Sequence, residues 1–313
     1  MKVAILGQNG NWHTAVLQAA LARHGIEAPC FPITSVTARV TGRPRLVTIS
    51  PQVRADSRQQ TAGSGAQVTA SMSEPLEDYD IVFVRGIPGG SLEQIIFRVD
   101  ALHRLENAGV RVINSPLAIE RTVDKYYTST LLEDTGLPTP RTVVTEQFDQ
   151  ALAAFHELGG DVVVKPLFGS EGRGMVRVAD PDSAYRALRA LELGRYVYYL
   201  QEFVPHGCED IRAFVVGQQV VAAMVRQGQS WKTNIAQGAK AVPLSPDATL
   251  VAMACQAARA VGADYAGIDI LLTEGGKYTV IEVNGIPGWQ GLQEVTAVDI
   301  ADRIVEHALC QVK

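Results

Sequence analysis

The run Ala266-Gly267-Ile268-Asp269-Ile270-Leu271-Leu272, followed across Thr273-Glu274-Gly275-Gly276-Lys277 by Tyr278-Thr279-Val280-Ile281-Glu282-Val283-Asn284-Gly285, decides how this chain folds. Two apolar runs flank a double glycine, the pattern of a β-hairpin. A two-residue turn centred on Gly275-Gly276 brings Asp269 directly opposite Glu282 on one face. Asn284, two residues on, shares that face, and Ile268, Ile270, Ile281 and Val283 are expected on the opposite, core-facing side. Like charges placed opposite each other repel unless something neutralises them. Three oxygen donors on one rigid face suit Mg2+, which takes oxygen ligands and keeps substrate phosphates in its shell. The plainer alternative is one protonated carboxylate, or an ion pair with a lysine.

A glycine-rich segment lies upstream. Phe168-Gly169-Ser170-Glu171-Gly172-Arg173-Gly174-Met175 separates two strand-like runs, Val162-Val163-Val164-Lys165 and Met175-Val176-Arg177-Val178. Its glycines let backbone N–H groups approach an anion closely, although such a hairpin can equally be a plain turn. No Gly-Lys-Ser/Thr and no helix follow, so it is not a P-loop, and the flanking strands exclude a dinucleotide fingerprint. Lys165 ends a buried apolar run, and a buried ammonium needs an anionic partner. Lys125 opens a helix in Asp124-Lys125-Tyr126-Tyr127. Two lysines and a flexible hairpin can hold a polyphosphate from several sides, unless the lysine tips simply reach solvent. Asp210 and Arg212 share one strand face, Arg226 ends the next strand, and Lys232 and Asn234 lie in the loop after Trp231. Such cations stabilise negative charge on a transferring phosphoryl group, and each taken singly reads equally as surface charge.

Further out, residues 2–6, 81–84 and 110–113 read as buried strands, with helical periodicity from Thr14 to His24 and from Leu92 to Gly109. This alternation predicts an α/β domain over residues 1–114. Within it, 34–73 is rich in Thr, Ser, Gln and Arg. Five arginines and one aspartate between Val36 and Met72 give a local net charge of +4 and predict a mobile basic loop. Asn11 follows the first strand and Arg85-Gly86 the strand 81–84, where α/β sheets bind ligands, so Asn11, Arg85 and Gly86 are candidate substrate contacts. Beyond Asn114 the pattern predicts two lobes, 115–204 and 205–313. The 313 residues carry 28 Lys and Arg against 33 Asp and Glu, and the net charge of −5 argues against a nucleic-acid coat. No apolar run is long enough for a bilayer, and the first strand breaks too early for a signal peptide. Cys30, Cys208, Cys255 and Cys310 show no zinc-ligand spacing, so reduced thiols and a cytoplasmic location are expected.

Taken in order, these motifs resemble those of the ATP-grasp superfamily, and within it the RimK-like α-L-glutamate ligases. The resemblance runs from Asn114 to Asp302 through Ser115-Pro116, Asp124-Lys125, Gly136-Leu137-Pro138-Thr139-Pro140, Val164-Lys165-Pro166, Gly169–Gly174, Gln201-Glu202-Phe203-Val204, Asp210-Ile211-Arg212, Gly267-Ile268-Asp269-Ile270 and Glu282–Gly288. It implies an ATP-grasp fold of α/β and α+β class behind an N-terminal Rossmann-like, pre-ATP-grasp α/β domain. It also implies ATP, with Mg2+ or in its place Mn2+. Lys125, Lys165 and the loop Gly169, Ser170, Glu171, Gly172, Arg173 and Gly174 would meet the phosphates. Gln201, Glu202, Phe203 and Val204 would form the adenine hinge, with Asp210 near the ribose, and Asp269, Glu282 and Asn284 would hold the metal. Arg212 and Asn234, with Arg226 and Lys232, would be the catalytic residues bordering the γ-phosphate and an acyl phosphate. The implied reaction phosphorylates a carboxylate and lets an amine displace the phosphate, with no enzyme nucleophile.

Arg85–Gly90, the helix after it and Asp124–Thr128 resemble the branch that adds glutamate to tetrahydromethanopterin. The expected partners are therefore L-glutamate and a small-molecule acceptor, in a homodimer or homotetramer, with neither nucleic acid nor membrane. After Asn234 the family usually shows Arg-Gly-Gly, whereas this chain has Ile235-Ala236-Gln237-Gly238-Ala239. A protein C-terminus or a carrier protein of the LysX type as acceptor, and an inactive nucleotide-binding module, stand as alternatives.

Overall fold

The structure, a computed structural model, describes residues 1–49, 73–169, 172–235 and 238–311. It divides into two units, Met1–Leu117 with Asp299–Lys313, and Ala118–Val298.

The first unit runs β1 (Val3–Leu6), α1 (Trp12–Arg23), β2 (Cys30–Phe31), β3 (Thr37–Ala38), β4 (Leu46–Ile49), β5 (Ser73–Pro75), β6 (Ile81–Val84), α2 (Leu92–Asn107) and β7 (Arg111–Ile113). Every residue of β1 and β6 is buried, as continuous apolar strands covered on both faces should be. They lie in a parallel sheet of order β2-β1-β6-β7. The connections from β1 diverge to its two sides, so the carboxyl ends of β1 and β6 flank a topological switch point. Asn11 caps α1 through its side chain, and Ser91 and Gln94 form a capping box on α2.

Two expectations are corrected here. The basic segment is not a loop at its start, because β3, β4 and β5 form an antiparallel sheet. Leu46, Val47 and Thr48 are buried, and Thr48 shares a 2.6 Å hydrogen bond with Ser35. A short apolar run inside a polar stretch was enough to seat a strand. The rest of that segment, residues 50–72, lies outside the described residues. The final helix, Ile300–Cys310, belongs to this unit and not to a C-terminal lobe ending at 313. Its apolar face packs along α1, and Arg23 of α1 reaches Asp299 at 2.5 Å and Asp302 at 3.3 Å.

The second unit carries two sheets. Following α3 (Pro116–Val123) and α4 (Lys125–Asp134), the chain forms β8 (Thr142–Thr145), α5 (Phe148–Glu157), β9 (Val162–Lys165), β10 (Val176–Val178), α6 (Pro181–Leu193) and β11 (Tyr198–Glu202). These strands pair antiparallel in the order β10-β9-β11-β8. Val162 and Val164 pack with Phe155, Leu188 and Leu200 in the core beneath α5 and α6, so Val163 and Lys165 face the other way. The second sheet follows from β12 (Glu209–Val216), β13 (Gln219–Gln227), β14 (Lys240–Pro243), α7 (Ala248–Val261), β15 (Tyr265–Leu272) and β16 (Tyr278–Asn284), in the order β14-β13-β12-β15-β16. Its core joins Ile268, Ile270, Val280 and Val283 to Leu250, Ala254 and Ala258 of α7.

The β15–β16 hairpin keeps the expected pairing of Asp269 with Glu282, by a different route. Near the turn the partners are Leu272 with Tyr278 and Ile270 with Val280, so the loop spans Thr273–Lys277 and is not a two-residue turn. A bulge between Asp269 and Ile270 restores the register at the carboxylate end. The extra residue is Ile281. It leaves the core, where Val280 takes its place, and joins Glu282 on the pocket side. Truncation of Val280 to Ala should therefore cost about 2 kcal/mol in urea unfolding, and Ile281→Ala less than about 1 kcal/mol. Equal losses would contradict this placement.

Candidate active site

Alternation along β12 puts Asp210 and Arg212 on one face, and pairing carries that face across the sheet. Arg226 of β13 stands opposite Asp210, Asp269 of β15 opposite Arg212, and Glu282 of β16 opposite Asp269. Arg226 Nε donates to Asp210 at 2.6 Å, and its Nη2 contacts the second Asp210 oxygen and lies 3.0 Å from Asp269. Arg212 donates to Asp269 through both Nε and Nη2, the latter at 2.9 Å. All four residues are buried. Gly267 is required by this arrangement: a Cβ there would lie 2.8 Å from Arg212 Nη1.

These bonds give two of the expected site residues buried partners. Asp210, expected near a ribose, lines the pocket and accepts from Arg226 through both of its oxygens. Arg212 grips Asp269 and does not line the pocket, whereas Arg226 does. The neighbouring guanidinium groups hold Asp269 ionised against its burial, below the usual carboxylate range. Glu282 is pushed the opposite way, first by burial and then by the charge of Asp269.

The groups expected to meet phosphates come from the other sheet and from the start of α4. Lys165, at the end of β9, donates to Gln201 Oε1 at 2.6 Å, and Gln201 donates onward to Thr142. Burial drives Lys165 down to about 8, partly offset by Glu282. Lys125 opens α4 beside its N-cap Asp124 and donates to the Gly169 carbonyl at 2.7 Å. Burial also lowers its ammonium. Gly169, Gly172 and Gly174 have φ of 147°, 70° and 76°, backbone that favours glycine. Arg173 is exposed, and Ser170 and Glu171 lie outside the described residues.

One pocket gathers most of these groups. It is lined by Lys165, Gln201, Glu202, Phe203, Val204, Asp210, Arg226, Lys232, Asn234, Asp269 and Glu282. Glu202 adds a structural bond, its carboxylate accepting from Arg141 Nε at 2.7 Å. Lys232 reaches across to donate to the Met175 carbonyl at 2.8 Å, a tether at the base of the glycine-rich hairpin. The apolar wall was not anticipated: Pro140, Val163, Met175, Leu271 and Ile281. Period-2 alternation from Lys165 points to Val163 and from Asp269 to Leu271, but Ile281 needs the bulge.

The residues present fit a divalent cation. Asp269 and Glu282 share the pocket, and the burial and repulsion that raise Glu282 are what such an ion relieves. Asn284 donates its amide nitrogen to the Gly267 carbonyl at 3.3 Å, which leaves its oxygen as the donor for a metal.

In the first unit, Arg85 N–H donates to the Leu6 carbonyl at 2.8 Å, which sets Arg85 and Gly86 at the switch point. Asn11 Oδ1 accepts from His13 N at 2.9 Å. Burial, then Arg85, push His13 down to about 4, so its ring is neutral at pH 7.

A RimK-like ATP-grasp domain matches residues 122–308. The chain belongs to the RimK-like ATP-grasp family. It is an ATP-dependent carboxylate–amine ligase, and the ligases it resembles are close enough to align over most of their length. It is 38 % identical over 245 residues to a tetrahydromethanopterin:α-L-glutamate ligase of Methanocaldococcus jannaschii, covering 76 % of this chain and 82 % of that protein. It is 31 % identical over 241 residues to an α-aminoadipate–LysW ligase, LysX, of Sulfurisphaera tokodaii, covering 74 % and 81 %. In fold it matches the ATP-grasp ligase PsnB complexed with minimal precursor, Mg and ADP, with a TM-score of 0.70 and 20 % identity over 99 % of this chain and 98 % of that one.

The lowered Lys165 ammonium predicts a pH dependence for nucleotide binding in this pocket. With a value of about 8 in the free protein, its charged fraction falls about tenfold between pH 7 and pH 9. Calorimetry at fixed Mg2+ should show ATP binding weakening by up to that factor over this range. Lys165→Arg, which stays charged, should flatten the profile.

Proposed function

We propose that this chain uses ATP and Mg2+ to join the amine of L-glutamate to a carboxylate on a small-molecule acceptor of pterin type, through an acyl phosphate. The observation that carries this reading is the pocket in which Lys165, Asp269, Glu282 and the 201–204 segment converge. The pterin-type acceptor is favoured by likeness to the tetrahydromethanopterin ligase. In the first step a carboxylate oxygen attacks the γ-phosphorus and ADP leaves. In the second, the unprotonated glutamate amine attacks the acyl carbon, inorganic phosphate leaves, and the nitrogen gives up a proton to become the amide. A divalent cation on Asp269, Glu282 and Asn284 would supply positive charge to the phosphates. Lys125 and Lys165 balance phosphate charge from α4 and β9. Arg226 and Asn234 are the pocket residues proposed for the γ-phosphate, with Arg212 holding Asp269 in place. The enzyme contributes position and charge and needs no nucleophile of its own. Asn11, Arg85 and Gly86 are proposed for the acceptor at the switch point of the first unit.

Two further expectations belong to this proposal. The first is a cytoplasmic location, in which the four free cysteines would stay reduced; no helix among the described residues is long and apolar enough to cross a membrane. The first turns of α2 expose Leu92, Ile95, Ile96 and Phe97 while Arg98 is buried beneath the carbonyls of Pro88 and Gly89. That inverted pattern favours a homo-oligomer. Light scattering should give a dimer or tetramer mass, and Ile96→Glu with Phe97→Glu should shift it toward the monomer.

The catalytic reading is tested with the full chain, ATP, Mg2+, L-glutamate and a panel of acceptors including tetrahydromethanopterin. ADP, phosphate and an acceptor heavier by glutamate are expected. Glu282→Gln should slow turnover about 100-fold, and is preferable to Asp269→Asn because Asp269 also holds two arginines. ADP that never exceeds background would remove the ligase reading for these acceptors. Mass added to a carrier protein instead would move the acceptor to the LysX type.

A further inference from the structure

His206 stands outside every role assigned so far, yet it touches both sides of the pocket mouth. Its Nδ1 lies 2.6 Å from the Val204 carbonyl and its Nε2 3.1 Å from the Trp231 carbonyl. Carbonyl oxygens only accept, so the ring donates to one of them when neutral and to both when charged. Val204 belongs to the segment joining the two sheets of the second unit, and Trp231 to the loop that carries Lys232, Thr233 and Asn234. The ring therefore links that segment to that loop. His206, Trp231 and Val204 all line the pocket.

The link is extended on both sides. Phe203 lies 5.6 Å from the His206 ring and meets Trp231 edge-on at 6.2 Å. The Arg177 guanidinium sits 3.5 Å over the other ring system, that of Phe203, and is itself held by Asp161 at 2.8 and 2.6 Å. Next to Trp231 in the loop, Lys232 donates to the Met175 carbonyl at 2.8 Å. The segment 203–206, the loop 231–234 and the strand β10 thus form one closed circuit around the pocket. The bond to His206 pins the Val204 carbonyl, and with it the backbone of the segment where it lines the pocket.

We propose that His206 is a positioning residue for the nucleotide base: by fixing Val204 against the Trp231 loop it sets both the affinity for ATP and the preference for adenine over guanine. This rests on the nucleotide reading of the pocket. His206→Phe keeps a ring beside Phe203 and removes both donors. His206→Gln restores an amide nitrogen with two hydrogens that can face both carbonyls.

Calorimetry on the full chain with ATP and with GTP, at fixed Mg2+, is the test, since it needs no acceptor. His206→Phe should weaken ATP about tenfold and narrow the ATP-to-GTP preference by a similar factor, and His206→Gln should recover most of both. A His206→Phe protein that melts earlier but binds ATP within twofold of the unaltered chain, with the same preference, would overturn the proposal. So would a uniform loss for both nucleotides with the preference intact. An unaltered chain that binds neither nucleotide would instead remove the nucleotide reading of the pocket.

Discussion

A carboxylate shared by two arginines governs the second unit. Asp269 is buried and its oxygens are engaged by Arg212 and by Arg226, while Glu282 stands opposite on the next strand. A buried charge is costly unless it is paired, and breaking such a pair is worse than never having made it. The sheet must therefore keep β13, β12, β15 and β16 in one register. Within this cluster Arg212 and Arg226 hold Asp210 and Asp269, and Lys125 and Lys165 offset the charge of Glu282. The crowding of Glu282 against Asp269 suits a divalent ion. The same electrostatics thus serve stability and ligand binding.

The pocket has two chemically distinct walls. One is the charged face of the five-stranded sheet. The other comes from Val163, Met175, Leu271 and Ile281, apolar side chains on both sheets. A nucleotide has the same division, an apolar base at one end and a polyanion at the other. Lys125 on the Gly169 carbonyl and Lys232 on the Met175 carbonyl tie the glycine-rich hairpin at both of its ends.

Much of this site was legible because it rests on short-range rules. Alternation along strands puts Asp210 with Arg212, Val163 with Lys165 and Asp269 with Leu271 whatever the tertiary context. Glycines between strands marked the flexible hairpin, and a lysine at the end of an apolar run marked a buried cation. Other features depended on partners that no local pattern names. That Arg226 and Asp210 form a pair is seen only in the register of β12 against β13. The bond from Lys232 to the Met175 carbonyl joins positions that no local pattern connects. Polar composition hid Leu46 and Val47, which are buried where β4 pairs with β3 and β5.

The hairpin at residues 265–284 shows where the division falls. Its two apolar runs and its double glycine determined that a hairpin would form and bring Asp269 and Glu282 within one position of each other, and a one-residue slip decides which face each takes. The bulge at Ile281 was decided only by packing. A five-residue loop shifts the strands by one position, and Val280 has to enter the core under α7, so one residue must be left unpaired before the carboxylates. Sequence determined the local chemistry, namely which side chains share a face and which turns can form. The tertiary structure decided which cation each carboxylate keeps, because in a dry interior that choice depends on distances set by strands far apart in the chain.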